Sequence, residues 1–189
     1  MCGRYTLFTD QDYEELSRMI QEIEAKTGNP MKMGDIYPTN IAPVLSGKAL
    51  TPKPYIWGFP NFAGKSGVII NARAETALEK KMFREAALTR RCVIPSTGFY
   101  EWKQNGTKQK YLFTLPGEKI LYMAGLYTIY DGKERFVILT TSPNASVADV
   151  HNRMPVVLPH AVLPKWVNDT DAAVKLLAET PPLLQKRAV

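Results

Sequence analysis

The sequence predicts an α+β fold: one domain over residues 1–189, with a mainly antiparallel curled sheet or open β-barrel-like core and flanking helices. Three observations carry that expectation. Short β-branched and aromatic runs dominate from Pro54 onward. Helical periodicity is confined to two longer segments and a few short ones near the end. No repeat, low-complexity tract or linker divides the 189 residues, a length that buries a substantial core. The 45% hydrophobic and 10% aromatic content is that of a folded globular chain.

Taken in order, "MCGRYT" opens a β-type run where a terminal tail would usually be polar. "TDQDYEELSRMIQEIEAKTG" places Tyr13, Leu16, Ile20 and Ile23 at helical spacing, with Thr9 or Asp10 to cap the start and Gly28 to close it. "GNPMKMGDIYPTNIAP" is too punctuated by Pro and Gly for a regular element and reads as a loop. "PYIWGF", "GVIINAR", "RCVIPSTGFYEW" and "KYLFTL" read as strands, interrupted by a second helix over "TALEKKMFREAAL". "ILYMAGLYTIYDGKERFVILTT" reads as a long hairpin with Asp131-Gly132 at its tip. "MPVVL" is a further strand, and short helices follow around "PKWV" and "TDAAVKLLAE".

No apolar run approaches the ~20 residues of a membrane span. The start lacks the layout of a signal peptide, so the expected compartment is the cytoplasm. Cys2 and Cys92 make no disulfide framework and fit a reducing compartment. His151 and His160, without a Cys at ligand spacing, speak against a metal site, and no phosphate loop or dinucleotide fingerprint is present. No cofactor is expected. Net charge is +6, and residues 71–110 hold nine Lys/Arg against four Asp/Glu. That asymmetry fits a basic face for a polyanion, although a merely soluble surface has the same composition.

Polar residues among apolar neighbours mark the chemistry. Asn71 and Arg73 sit in "VIINARAET", where a strand gives way to a helix. Glu101 lies between aromatics in "GFYEW", and burial there would raise its pKa into the range of a proton carrier. His151 stands at the mouth of the strand in "VHNRMPVVL". Each has a plain structural reading: Glu101 as a sheet-edge carboxylate, His151 as a capping residue, Asn71 as a turn former, Cys92 as a small buried hydrophobe. Asn105-Gly106-Thr107 reads as a hairpin turn rather than a glycosylation acceptor.

Together "MCGRYT", "INARAET", "IPSTGFYEW" and "HNRMPVVL", with "IYPTN", "WGF" and "MFREA" between them, closely resemble the SRAP (SOS response-associated peptidase) family of abasic-site processing proteins. The resemblance implies the SRAP fold and a thiazolidine cross-link between Cys2, freed by removal of Met1, and the aldehyde of an abasic site in single-stranded DNA. By the same motifs, Cys2 is the implied nucleophile and Asn71, Glu101 and His151 line the site. Arg4, Arg73 and Arg153 with Met154 are implied DNA contacts, Trp57 and Trp102 base-contacting aromatics, and Pro38 part of a wedge beside the lesion. The chain departs from the pattern at Asn152, where family members commonly have Asp, and after "PKWV", where the expected C-terminal segment and its edge strand have no counterpart. Two other functions fit the residues: a thiol autopeptidase that removes its own Met1, and a non-covalent single-strand binding module with no need of Cys2. A monomer, nucleoid-associated when bound to DNA, is the default state.

Overall fold

The computed structural model describes residues 2–8, 13–61, 67–104 and 106–189. The first strand, β1 (Tyr5–Leu7), leads to helix α1 (Glu14–Thr27), then β2 (Gly34–Ile36), β3 (Ile41–Ser46), β4 (Thr51–Trp57) and β5 (Phe59–Pro60). Next come β6 (Val68–Ile69), β7 (Asn71–Arg73), a 3-10 turn (Ala74–Thr76) and α2 (Lys81–Thr89). The chain continues through β8 (Arg91–Ser96), β9 (Gly98–Trp102), β10 (Lys110–Thr114), β11 (Leu121–Tyr130) and β12 (Lys133–Thr141). It ends with β13 (Met154–Pro155), β14 (Val157–Leu158), a 3-10 turn (His160–Val162), α3 (Leu163–Asn168), α4 (Thr170–Ala178) and β15 (Gln185–Ala188).

The α+β expectation holds, and the barrel is closed rather than open. Strands β12, β4, β3, β8 and β11 pair in sequence, and β11 pairs back onto β12 to complete the ring. The closing contact between β12 and β4 is parallel, as is the contact of β7 along β12, and the other ladders are antiparallel. A second sheet runs in the order β15-β10-β9-β1-β2. "IPSTGFYEW" therefore belongs to two sheets, with Thr97 at the corner between β8 and β9, where its hydroxyl meets that of Thr6 at 2.7 Å. Gly98 sits at φ +153, and a Cβ there would lie 2.7 Å from the Phe113 carbonyl, so only glycine lets β9 pass β10 at this corner.

Helix α1 buries Leu16, Ile20 and Ile23 as its periodicity predicts, and Gly28 closes it at φ +70. Thr9 and Asp10, the expected caps, lie outside the described residues, as does Asn105 of the expected Asn-Gly turn. Asp131 and Gly132 both take positive φ, as a two-residue hairpin turn requires. Two expectations are corrected. The segment expected as a loop before Pro43 contains β2, recruited by pairing with β1, and the β3–β4 hairpin starts well before Pro54. The edge strand expected to be missing is present, because Gln185–Ala188 pairs with β10.

Arg91 shows what holds the helices to the barrel. It is 4% exposed and donates to the carbonyls of Ala87, Leu88, Trp166 and Val167 and to the Thr170 hydroxyl. One guanidinium thus satisfies terminal carbonyls of both α2 and α3. Arg91→Leu is expected to cost on the order of 3 kcal/mol, because those acceptors stay buried without a donor. Chemical denaturation measures this; an unchanged midpoint would show that the network is dispensable.

Candidate active site

Main-chain pairing delivers Cys2 to its surroundings. Tyr5 pairs with Phe99, and the Tyr100 N–H donates to the Arg4 carbonyl at 2.9 Å, which aligns the N-terminal residues with the end of β9. Cys2 is fully buried. Its carbonyl accepts a 2.9 Å hydrogen bond from Asn71 Nδ2, and its Sγ lies 3.9 Å from the Arg4 carbonyl. Asn71 reaches this point because β7 lies parallel to β12, with Asn71 opposite Ile138. The other atom of the same amide, Oδ1, is buried and accepts from no group among the described residues. A buried acceptor left open costs free energy unless a donor arrives, so it marks a place for one.

Glu101, on β9, is 3% exposed, and burial lifts its carboxyl from 4.5 to about 7. Near neutral pH it is present in both its protonated and ionised forms, as a group that gives and takes protons must be. Its Oε2 lies 3.7 Å from His151 Nε2. Burial also lowers the His151 pKa from 6.5, so its imidazole is largely neutral at pH 7. Burial, with the Glu101 carboxylate adding to it, pushes the Cys2 thiol well above its usual range. Tyr5 is similarly buried, and its hydroxyl has no partner among the described residues. The site therefore holds a neutral thiol, a neutral imidazole and a half-ionised carboxyl in one water-poor enclosure.

The proposed contact residues divide. Arg4 stacks its guanidinium between Tyr37 (4.4 Å) and Trp102 (5.1 Å) and lies 3.9 Å from Asp35. Lys110 covers the rings of Tyr100 and Trp102, extending this cationic and aromatic wall. Pro38 occupies a tight turn closed by Asn40 N–H to Tyr37 O at 3.0 Å, with Thr39 held at φ 72. Arg73 is exposed. Arg153 instead turns its fork onto Glu75 at 2.7 and 2.8 Å and onto the Thr140 carbonyl, and that pairing lowers the Glu75 pKa.

Trp57 and Met154 are corrections. Both are 0% exposed. The Trp57 indole packs against Tyr5 and Phe136 and donates to the Ile70 carbonyl at 3.0 Å, so no face of the ring is open to a base. Met154 accepts the Asn144 N–H at its sulfur, inside the core. The basic run is also thinner than its count, since Arg91 is buried and Arg90 pairs with Glu85. Asn152 is exposed.

Sequence reasoning missed Tyr37, Glu75 and Gln104. The first two lie inside "IYPTN" and "INARAET", beside residues already singled out. Gln104 carries no signal in the sequence, because only the fold sets it against His151. Among the described residues, no three His, Cys, Asp or Glu side chains converge as metal ligands. Among the described residues, no helix is long and apolar enough to cross a membrane.

Comparison with known proteins fits this geometry. The family model described as SOS response associated peptidase (SRAP) matches residues 1–188. The abasic site processing protein YoaM of Bacillus subtilis is 33% identical over 187 residues, covering 89% of this chain and 79% of the relative. The abasic site processing protein YedK of Escherichia coli is 28% identical over 180 residues, covering 88% and 79%. Among solved structures, a protein from Bacteroides thetaiotaomicron superposes with a TM-score of 0.80 at 24% identity, covering 100% of this chain and 92% of that one, which shows the shared fold.

Proposed function

The chain belongs to the SOS response associated peptidase (SRAP) family, and on that premise we propose that it processes abasic sites in single-stranded DNA by covalent capture. Once Met1 is removed, Cys2 carries an α-amine beside its thiol. The amine adds to the aldehyde carbon of the opened sugar, the former carbonyl oxygen leaves as water, and an imine forms. The Cys2 S–H then adds across the C=N bond: sulfur bonds to carbon, and the proton ends on nitrogen. The product is a thiazolidine.

The observation that carries this reading is the Asn71 amide. It grips the Cys2 carbonyl with Nδ2 and leaves Oδ1 buried and open, an acceptor suited to a Cys2 α-amine. An amine pKa near 7.7–8.0 leaves part of the population neutral and nucleophilic at physiological pH. Glu101, titrating near 7, protonates the departing oxygen and receives the thiol proton, which the buried sulfur does not shed alone. His151 backs Glu101 as a second proton carrier. Arg73 holds a flanking phosphate. The wall of Arg4, Tyr37 and Trp102 stacks neighbouring bases without sequence preference, at roughly 1–3 kcal/mol per base. Arg153 joins the phosphate contacts when Glu75 releases it.

Intact-mass measurement tests the proposal. Met1-free protein is expected to gain the mass of an abasic single-stranded oligonucleotide less water, and to gain nothing from the undamaged strand. Absence of any adduct from Met1-free protein would overturn it.

A further inference from the structure

We propose that Gln104 is a positioning residue for His151, fixing its neutral ring as the Nε2–H tautomer and directing that N–H toward Glu101. This inference rests on the proton-transfer role given to Glu101 and His151 above. It starts from a main-chain fact. The Arg153 N–H donates to His151 Nδ1 at 3.0 Å, and an amide hydrogen cannot turn away as a hydroxyl can. Nδ1 also lies 3.2 Å from the Arg153 carbonyl, but the N–H contact is shorter and its hydrogen is fixed, so a hydrogen on Nδ1 would collide with it. Nδ1 is therefore the acceptor, and the single proton of the neutral ring sits on Nε2. The Gln104 side-chain nitrogen, Nε2, lies 2.8 Å from His151 Nε2. With a proton on His151 Nε2 this sets donor against donor, so the amide turns over by half a turn and presents its oxygen there instead.

Position supports the role. The Gln104 N–H donates to the Val150 carbonyl at 3.1 Å, which ties the end of β9 to the loop carrying His151. The same His151 Nε2 lies 3.7 Å from Glu101 Oε2, so once the amide is turned its hydrogen has two acceptors within reach, the amide oxygen and the carboxylate. Gln104 holds the ring where a small rotation passes the hydrogen between them. His151 is thereby kept as a proton donor toward Glu101, and never as a second lone pair facing a carboxylate.

The test has a spectroscopic arm and a kinetic arm. The chain holds only two histidines, so a His160→Asn background leaves one imidazole to assign. Nitrogen-15 spectra of that protein are expected to show the Nε2–H tautomer. Gln104→Leu, at an exposed position that leaves the fold intact, is expected to give a tautomer mixture and to slow adduct formation by roughly tenfold, with unchanged affinity for undamaged single strand. Gln104→Glu, which keeps an acceptor, is expected to restore the Nε2–H tautomer. An Nδ1–H tautomer in the His160→Asn protein, or Gln104→Leu matching it in tautomer ratio or rate, would overturn the assignment. So would Gln104→Glu behaving like Gln104→Leu. If the His160→Asn protein forms no Cys2-dependent adduct, the covalent-capture reading fails, while the tautomer spectra still decide the role of Gln104.

Discussion

Protein carrying Cys2→Ala is expected to form no stable adduct with an abasic single strand, where the wild type converts fully. The alanine variant keeps a free α-amine after Met1 removal, so it still forms an imine with the aldehyde. Without sulfur the imine has no ring to close into, and water returns it to amine and aldehyde. Borohydride, which reduces imines to amines, is therefore expected to trap the variant on the DNA, while the untreated sample shows only free protein. The substitution removes one buried atom from a 0% exposed site, at a cost of about 1 kcal/mol, so the fold remains. An untreated adduct undiminished in Cys2→Ala would place the bond elsewhere.

Glu101→Gln is expected to slow adduct formation by about 10²–10⁴-fold, the usual contribution of a positioned acid and base. Glutamine preserves the shape and hydrogen-bonding reach of the side chain, so loss of the proton is the only large change. The same substitution is expected to stabilise the protein at alkaline pH. The Glu101 carboxyl is raised from 4.5 to about 7 by burial, so the native state binds its proton more tightly than the unfolded chain does. Native stability then falls as pH rises from about 4.5 through 7, by at most about 3 kcal/mol from this group. Glu101→Gln has no such term, and its advantage in denaturant midpoint should appear above pH 7 and vanish near pH 4. Equal midpoints for the two proteins at both pH values would show that the carboxyl is not held in its unfavoured state.

The site and the fold were legible to different depths. Asn71 and Glu101 stand out because polar groups among apolar neighbours need a reason, and burial supplied it for the carboxyl; Cys2 stands out by its place directly after Met1. Trp57 misled because the same indole serves a core and a stacking platform equally well from its flanking residues. Only the full burial of the ring, packed with Tyr5 and Phe136, decides between them. Strand β2 was hidden for a different reason: Gly34–Ile36 has little β-propensity and is held extended by β1. Barrel closure through a parallel β12–β4 contact depends on residues nearly eighty positions apart, as in Arg135 opposite Ile56, which local periodicity does not encode. Gln104 and Glu75 belong to the same class, since each matters through a partner far along the chain.

The bond between Asn71 and the Cys2 carbonyl spans 69 residues, and that between Gln104 and His151 spans 47. During synthesis the N-terminus leaves the ribosome first, yet His151 follows only after roughly 10 s or more at ordinary elongation rates. Throughout that interval the start of the chain is reachable, before Asn71 locks its main chain and the sheets close over the thiol. On the covalent-capture proposal, trimming of Met1 is expected in that interval. If Cys2 is the reagent proposed above, the timing of one cotranslational cut would determine whether a finished molecule is armed.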